Sequence, residues 1–374
     1  MSKTTGQRSS RQTRTINTVA VIGSHSALDV CRGAKDESFK TLVIVEKGRD
    51  ATYAKYFKSE KGIGCVDEVL YVEKFKDMMG EDIQNILKKK NCIFVPHRSF
   101  EVYINDYDAI ENNFQIPVFG NKKLLRIEER TEHPNQYDLL KKAGIKYPKA
   151  YKNFQEIDTL VMVKVPEHER KFERAFFLCD SPLSFKVASD QLIADGKINR
   201  EALETAIIEE FILGVQINFN FFYSPIDNRL ELVGTDTRRQ TNLEGWLKLP
   251  AKYQKMIEDK TEIKYEEAGH IAVTTLESLL EPAFEIGERF VTAAKEMFNP
   301  GIIGPFSLQS VITAGPPKKE IVVFDVSPRM PGSPGIFATP YSGYLYGRQL
   351  SMGRRLAMEI KLAVSKNKSG SITT

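Results

Sequence analysis

The residues best equipped for chemistry lie in one hairpin near the C-terminal end. It reads Gly304-Pro-Phe-Ser-Leu-Gln309-Ser310, then a Gly315-Pro316-Pro317 turn, then Val322-Val-Phe-Asp325-Val-Ser327-Pro-Arg329. Gln309 falls on the first strand. Asp325, Ser327 and Arg329 alternate on the second, so the two-residue period of a strand sends their side chains to one sheet face. A carboxylate, a hydroxyl and a guanidinium on one face suit a hard cation and the phosphates it bridges. A solvated edge hairpin reads the same way in sequence.

Other stretches carry complementary chemistry. Gly23-Ser24-His25-Ser26 stands between an apolar strand and a helix start, where free amides can hold a phosphate. Ser26 with Asp29 has capping-box spacing, with Asp in place of Glu. Pro96-His97-Arg98-Ser99-Phe100 ends another strand with a hydroxyl and a cation. Thr159-Leu-Val-Met-Val-Lys164-Val165 places one lysine on a strand, and Ile208-Glu209-Glu210-Phe211-Ile212 leads to Gly214. A strand lysine followed by an acid-acid-apolar segment suits a nucleotide clamp: lysine against phosphates, main chain near Phe211 and Ile212 against the adenine edge. The plain alternative for each is capping, surface histidines and core strands.

These residues need elements to carry them. Thr18–Ile22, Thr41–Val45, Glu68–Val72, Cys92–Val95 and Ile116–Phe119 are apolar runs separated by helical patterns, including Leu28, Val30, Cys31 and Phe75, Met78, Met79, Ile83, Ile86, Leu87. That alternation predicts a doubly wound parallel sheet, with ligands beyond the carboxyl ends of its strands. From Thr159 onward strands follow one another directly, as they do in antiparallel sheets, at Ala175–Leu178, Gln216–Tyr223 and Leu230–Gly234. The fold class is therefore α/β followed by α+β. There is no GxGxxG and no Walker A motif, which argues against a dinucleotide or P-loop site.

Composition narrows the class. At 374 residues the chain has room for two or three packed units, and 41% hydrophobic with 27% charged residues is the balance of a globular protein. No apolar run approaches membrane-spanning length and no signal pattern opens the chain, so a cytoplasmic protein without a membrane role is expected. Cys31, Cys65, Cys92 and Cys179 are scattered, which indicates neither a zinc site nor a disulfide framework. The formal charge of +4 equals the contribution of Lys3, Arg8, Arg11 and Arg14 in an acid-free, Ser/Thr/Gln-rich start expected to be disordered. The remaining body is close to neutral and its sequence shows no basic stripe of the kind a nucleic-acid role would want, so no specific nucleic-acid partner is expected. The charged stretch 249–267 is expected to form a solvated helix, and the last ten residues to fray.

Taken in order, Lys164, the Glu209-Glu210-Phe211-Ile212 segment and Asp325-x-Ser327-x-Arg329-x-x-Gly332 resemble the ATP-grasp ligases. More closely, the chain resembles the archaeal PurP family, formate-dependent ligases that make FAICAR from AICAR in IMP biosynthesis. The resemblance rests on Ser24-His-Ser-Ala-Leu28, Pro96-His97 with Ser99-Phe100, Phe222-Tyr-Ser-Pro225, Glu277-Ser-Leu-Leu280, Gly304-Pro-Phe306 with Leu308-Gln-Ser310, and Leu350-Ser-Met-Gly-Arg-Arg355, colinear from about Thr18 to Ala363. It implies a Rossmann-like domain ahead of a two-lobed ATP-grasp domain: 16–120, then 121–205 with a linker helix and first lobe, then 206–365 with the second lobe, between a 1–15 tail and a 366–374 tail.

The resemblance also implies roles. His25, Ser99 and His270 fall on AICAR positions. Lys164, Glu209, Glu210, Phe211, Ile212 and Gln240 fall on ATP positions. Gln309 and Asp325, with Ser327, fall on the magnesium (or manganese) site, and Arg329 is assigned to stabilising the transferring phosphoryl group. ATP would phosphorylate formate, and the AICAR amine would attack the formyl phosphate. A homotrimer or homohexamer is implied as well. The chain departs from the family at several places. Pro166-Glu-His-Glu-Arg-Lys-Phe-Glu-Arg174 replaces a glycine-rich phosphate loop, Gln240 a Glu, His270 an Asn, Asp325 a longer carboxylate, and Met330-Pro-Gly-Ser-Pro-Gly335 another glycine-rich loop. These changes keep two alternatives open: a ligase for a different carboxylate and amine, and a non-catalytic nucleotide-binding partner of an active paralogue.

Overall fold

The computed structural model describes residues 16–129, 132–165, 175–258, 260, 261, 263, 266–315 and 317–374. The basic start 1–15 and the glycine-free loop 166–174 lie outside the described residues.

Three sheets carry the described residues. The first is parallel, built from β1 (Thr18–Ile22), β2 (Lys40–Glu46), β3 (Glu68–Val72) and β4 (Cys92–Phe94) in the order β3-β2-β1-β4. Its strands are apolar runs because both faces are covered. The second is antiparallel: β5 (Ala150–Tyr151), β6 (Val161–Val165), β7 (Ala175–Cys179) and β8 (Ile207–Glu210), ordered β5-β8-β6-β7. The third is antiparallel and larger: β9 (Val215–Ser224), β10 (Arg229–Gln240), β11 (Glu267–Ala272), β12 (Gly304–Ile312) and β13 (Ile321–Ser327), ordered β11-β10-β9-β12-β13. The expected hairpin is thus an edge hairpin of the third sheet.

The third sheet is two-faced by alternation along β9. Ile217, Phe219 and Phe221 pack with Phe290 and Phe306 against the amphipathic helix Leu280–Met297. The Phe221–Phe306 and Phe290–Phe306 rings stack at 5.4 and 5.2 Å, contacts worth about 0.5–1.5 kcal/mol each beyond their burial. Asn218 and Asn220 point to the opposite face and are also buried. That face looks toward the first sheet, and one apolar core joins Val19, Val21 and Val43 to Phe222, Val233, Met330 and Met352.

The first sheet is completed by the other end of the chain. Helix Ala27–Asp36 crosses helix Met352–Ser365 so closely that a Cβ on Gly33 or on Gly353 would lie 2.1 Å from the other helix's backbone. Asp29 Oδ2 accepts from the Gly353 amide at 3.1 Å.

Several expectations need correction. Ser26 and Asp29 do not form a capping box: Ser26 Oγ donates to the Pro331 carbonyl at 2.6 Å, and Asp29 serves the other helix. Residues 116–119 form no strand but two single bridges, Phe94 with Val118 and Phe119 with Thr373, because Pro117 has no amide to extend a ladder. The same bridges remove the frayed C-terminus. Val118 and Thr374 exchange both backbone hydrogen bonds at 3.1 Å, and Ile372 is wholly buried. The run from Phe75 to Leu87 divides at Gly80 into a 3-10 turn, Phe75–Met79, and a helix, Glu81–Lys89. Among the described residues of 249–267 the helix is Ala251–Ile257, and Glu267 already opens β11. No described helix is long and apolar enough to cross a membrane.

Candidate active site

The polar face of the third sheet forms the floor of the site, and register explains who meets whom. Gln309 on β12 stands opposite Asp325 on β13 and Asn218 on β9; Asn218 stands opposite Asp236 on β10; Arg238 stands opposite His270 on β11. Gln309 Nε2 donates to Asp325 Oδ2 at 2.8 Å and lies 3.4 Å from Ser327 Oγ. Its Oε1 accepts from Arg238 Nη2. Asp236, with no exposed surface, accepts from Asn220 Nδ2 at 2.6 Å, Asn218 Nδ2 at 3.0 Å and His270 Nδ1. A carboxylate accepts only, so both asparagine amides are oriented with Nδ2 toward Asp236. Their Oδ1 atoms are then left buried without a hydrogen-bond partner.

His270 is held by acids at both ring nitrogens: Asp236 at Nδ1 and Glu267 Oε1 at Nε2, 2.7 Å. Burial alone would lower its pKa, but the hydrogen bonds and charges of Asp236 and Glu267 raise it to about 9. His270 is an imidazolium at neutral pH.

His25 faces this floor from the first sheet. It sits at φ 47 in the turn after β1. Ser26 Oγ spends its proton on Pro331, so His25 Nδ1 must be the donor to Ser26 Oγ at 2.6 Å. Nε2 is then an acceptor, lying where a Cβ on Gly332 would come within 2.7 Å. The surrounding protein desolvates the ring, and Arg329, His97, His270 and Arg238 add positive potential, so its pKa is driven far below the usual histidine range. One side of the residue stays exposed, and the imidazole is neutral. His97 stacks on it at 5.4 Å. His97 Nε2 donates to the Ile22 carbonyl at 3.0 Å and Nδ1 accepts from the Ser99 amide at 3.3 Å, which uses both nitrogens. Burial takes its pKa down to about 4. Ser99 lies half-buried in the first turn of helix Arg98–Ile104 beside this pair.

Arg329 departs from expectation. It lies beyond the end of β13, and all three of its nitrogens are engaged: Nε with Glu101 Oε1 at 3.3 Å, Nη2 with Glu128 Oε2 at 2.8 Å and Nη1 with the Met330 carbonyl at 3.2 Å. Arg98 joins the same carboxylates, 3.0 Å from Glu101 and 3.5 Å from Glu128. Burial and the Glu128 charge push Glu101 up to about 8 against the pull of the two arginines. Arg329 is a buried strut between the loop after β13 and the first sheet, not a guanidinium presented beside Asp325.

The Glu209-Glu210-Phe211-Ile212 segment runs off the end of β8 in the second sheet. Lys164 on β6 forms an ion pair with Glu209 on β8, and Tyr137 donates its hydroxyl to the same carboxylate. The Glu210 amide donates to the Lys149 carbonyl at 2.8 Å, and the Phe211 amide to the Leu160 carbonyl at 2.9 Å. The Phe211 amide is therefore committed to the chain's own backbone. Gln240 ends β10, its amide donating to Glu244 Oε1 at 3.1 Å.

The structure thus brings Gln309, Asp325 and Ser327 together, sets His25 by His97, Ser99 and His270, and pairs Lys164 with Glu209. Sequence reading missed Asn218, Asn220, Asp236, Arg238, Glu267 and Tyr137. Two asparagines at alternate positions of the apolar run Ile217-Asn-Phe-Asn-Phe221 were the available signal.

The donors fit magnesium in type: one carboxylate, an amide oxygen and a hydroxyl, where the ion commonly takes one or two carboxylates plus phosphates and water. No group of three or more His, Cys, Asp or Glu that could hold a metal occurs among the described residues. Gln309 presents Nε2 to Asp325, so bringing its Oε1 and Asp325 onto one ion requires the amide to turn and Arg238 to release it.

Two family descriptions match the chain: a domain of unknown function (DUF1297) over residues 184–374 and a protein of unknown function (DUF1246) over residues 19–151. A 5-formaminoimidazole-4-carboxamide-1-(beta)-D-ribofuranosyl 5'-monophosphate synthetase of Methanopyrus kandleri is 38% identical over 348 residues, 93% of this chain and 92% of that protein. The crystal structure of the IMP biosynthesis protein PurP from Thermococcus kodakaraensis is similar with a TM-score of 0.69 and 28% identity, covering 95% of this chain and all of that one. The N5-carboxyaminoimidazole synthetase of Staphylococcus aureus, solved with ADP, shares the fold at a TM-score of 0.55 and 13% identity, over 86% of this chain and 73% of that one. The fold is the ATP-grasp fold behind a Rossmann-like sheet, and the chain belongs to the family of the 5-formaminoimidazole-4-carboxamide ribonucleotide synthetases.

Proposed function

We propose that this chain is an ATP-dependent carbon–nitrogen ligase that joins formate to the amine of AICAR, giving FAICAR, ADP and phosphate. The supporting observation is the register-paired Gln309–Asp325–Ser327 group on the same sheet face as His270, in a chain that aligns with named synthetases over 93% of its length.

Lys164, released from Glu209, neutralises the ATP phosphates, and the main chain around Phe211 and Ile212 holds adenine. Asp325, Gln309 and Ser327 would hold magnesium, which when bound spreads the charge of the transferring phosphoryl group. A formate oxygen takes that phosphoryl group, making phosphate the leaving group. The AICAR amine then bonds to the formyl carbon, the carbon–phosphate oxygen bond breaks, and the nitrogen loses a proton. Neutral His25 offers Nε2 as acceptor toward the nucleotide, with Ser99 and His270 alongside. Arg329 acts through the loop it braces. We take 16–120, 121–205 and 206–365 as the working units, in a cytoplasmic homo-oligomer.

The purified protein with ATP, magnesium, formate and AICAR is expected to release ADP and FAICAR together, each depending on formate. Absence of both products sinks this reading. The Arg238–Gln309 contact favours one second reading, a nucleotide-binding protein without turnover. ATP binding with no ADP released would support it.

A further inference from the structure

The floor contains a cationic pair whose occupant is one of the chain's own side chains. Arg238 and His270 stand opposite each other on β10 and β11. The Glu267 carboxylate spans them, with Oε1 2.7 Å from His270 Nε2 and Oε2 3.4 Å from Arg238 Nε.

The two halves of this contact are unequal. The histidine half is a hydrogen bond. The arginine half is an ion pair only: Arg238 Nε is buried and has no hydrogen-bond partner. A buried N–H left unpaired loses its hydration with nothing to replace it. One carboxylate anchored three residues away at Glu267 therefore does not satisfy both cations. The side chain that covers them is the most accessible member of the group, at 43% exposed against 23% for Arg238 and 10% for His270. The remaining contacts lie behind: Arg238 Nη2 on Gln309 while that amide keeps its present orientation, and His270 Nδ1 on buried Asp236. Moving Glu267 outward would uncover Arg238 Nε and His270 Nε2 while both stay aimed by these partners.

We infer that Arg238 and His270 form a subsite for a small oxyanion, a carboxylate or a phosphate, and that the Glu267 carboxylate holds its place until such a ligand displaces it. The ligand supplies oxygens free of a backbone tether, so it can take both N–H groups at hydrogen-bond distance. On the ligase reading, from which this inference borrows its choice of anions, the sources are formate or a phosphate oxygen; the subsite itself is tested by binding, without turnover.

The test is thermal stabilisation of the intact protein by sodium formate or by inorganic phosphate, each against sodium chloride at equal ionic strength. Removing the competitor with Glu267→Gln is expected to tighten the anion about tenfold, the value of one charge-assisted hydrogen bond regained. Adding Arg238→Met to Glu267→Gln is expected to abolish the gain. Whichever anion shows this pattern names the source. Equal stabilisation of wild type and Glu267→Gln by both anions overturns the inference. So does a gain that survives Arg238→Met. Loss of FAICAR synthesis with the binding pattern intact would count against the ligase reading alone.

Discussion

Glu231 lies near the start of β10, and Asp236 with Arg238 lies near its end, so one strand carries two arginine–carboxylate networks. At the start, Arg355 donates to Glu231 through Nε at 2.7 Å and Nη2 at 3.0 Å, Arg229 Nη2 adds 2.6 Å and the Tyr346 hydroxyl 2.8 Å. Arg355 Nη1 reaches Glu359 at 3.0 Å, Ser224 closes the far side of Glu359 at 2.7 Å, and the Arg355 guanidinium rests 4.0 Å over Phe222. At the end, Arg238 Nε and the Oδ1 atoms of Asn218 and Asn220 lack hydrogen bonds. The first network is saturated and ties helix Met352–Ser365 to the sheet. The second keeps unspent capacity on the face where His25, Gln309 and Asp325 gather. Buried polar groups specify structure when satisfied and remain available for work when not.

The sharpest way to break this contrast is Arg355→Ala. It leaves Glu231 buried without its main partner, and a loss of about 3–5 kcal/mol is expected in urea unfolding. A loss below about 1 kcal/mol would erase the distinction. At the other end, Asp325→Ala should cut FAICAR formation about a hundredfold or more while the unfolding midpoint stays near that of the parent. A matching fall in stability would place Asp325 among the structural acids instead. The smallest effect concerns His270, whose folded pKa of about 9 exceeds the ordinary value of about 6.5. Its protonation stabilises the fold fully below pH about 6.5, and that contribution fades as pH rises toward 9. The wild-type melting temperature should therefore fall relative to that of His270→Gln across this window. Parallel pH profiles would show that His270 is not held as an imidazolium.

The period-two and helical patterns made the parallel sheet and the antiparallel strands after it legible, since alternation along β9 and β13 is a local property. The pairing within the C-terminal hairpin was legible for the same reason: Gln309 and Asp325 are register partners on consecutive strands. Arg329 was misjudged because two-residue spacing says where a side chain leaves the backbone, not which distant acids, here Glu101 and Glu128, receive it. Asp236 and Arg238 were missed because β10 was expected to end at Gly234, after its last apolar residue. Its polar continuation is held by β11, a strand whose own start looked like part of a charged helix. The C-terminal bridge was illegible because nothing near Thr374 in sequence reveals that Val118 awaits it.

That bridge bears on the order of synthesis. The first sheet's strands are made early, yet one of its faces is closed by Met352, Leu356 and Ile360, and the segment beside β4 is fastened by Ile372 to Thr374. A ribosome has to make the second and third sheets before the first can be covered. Until then that apolar face depends on chaperones or on transient partners within the nascent chain.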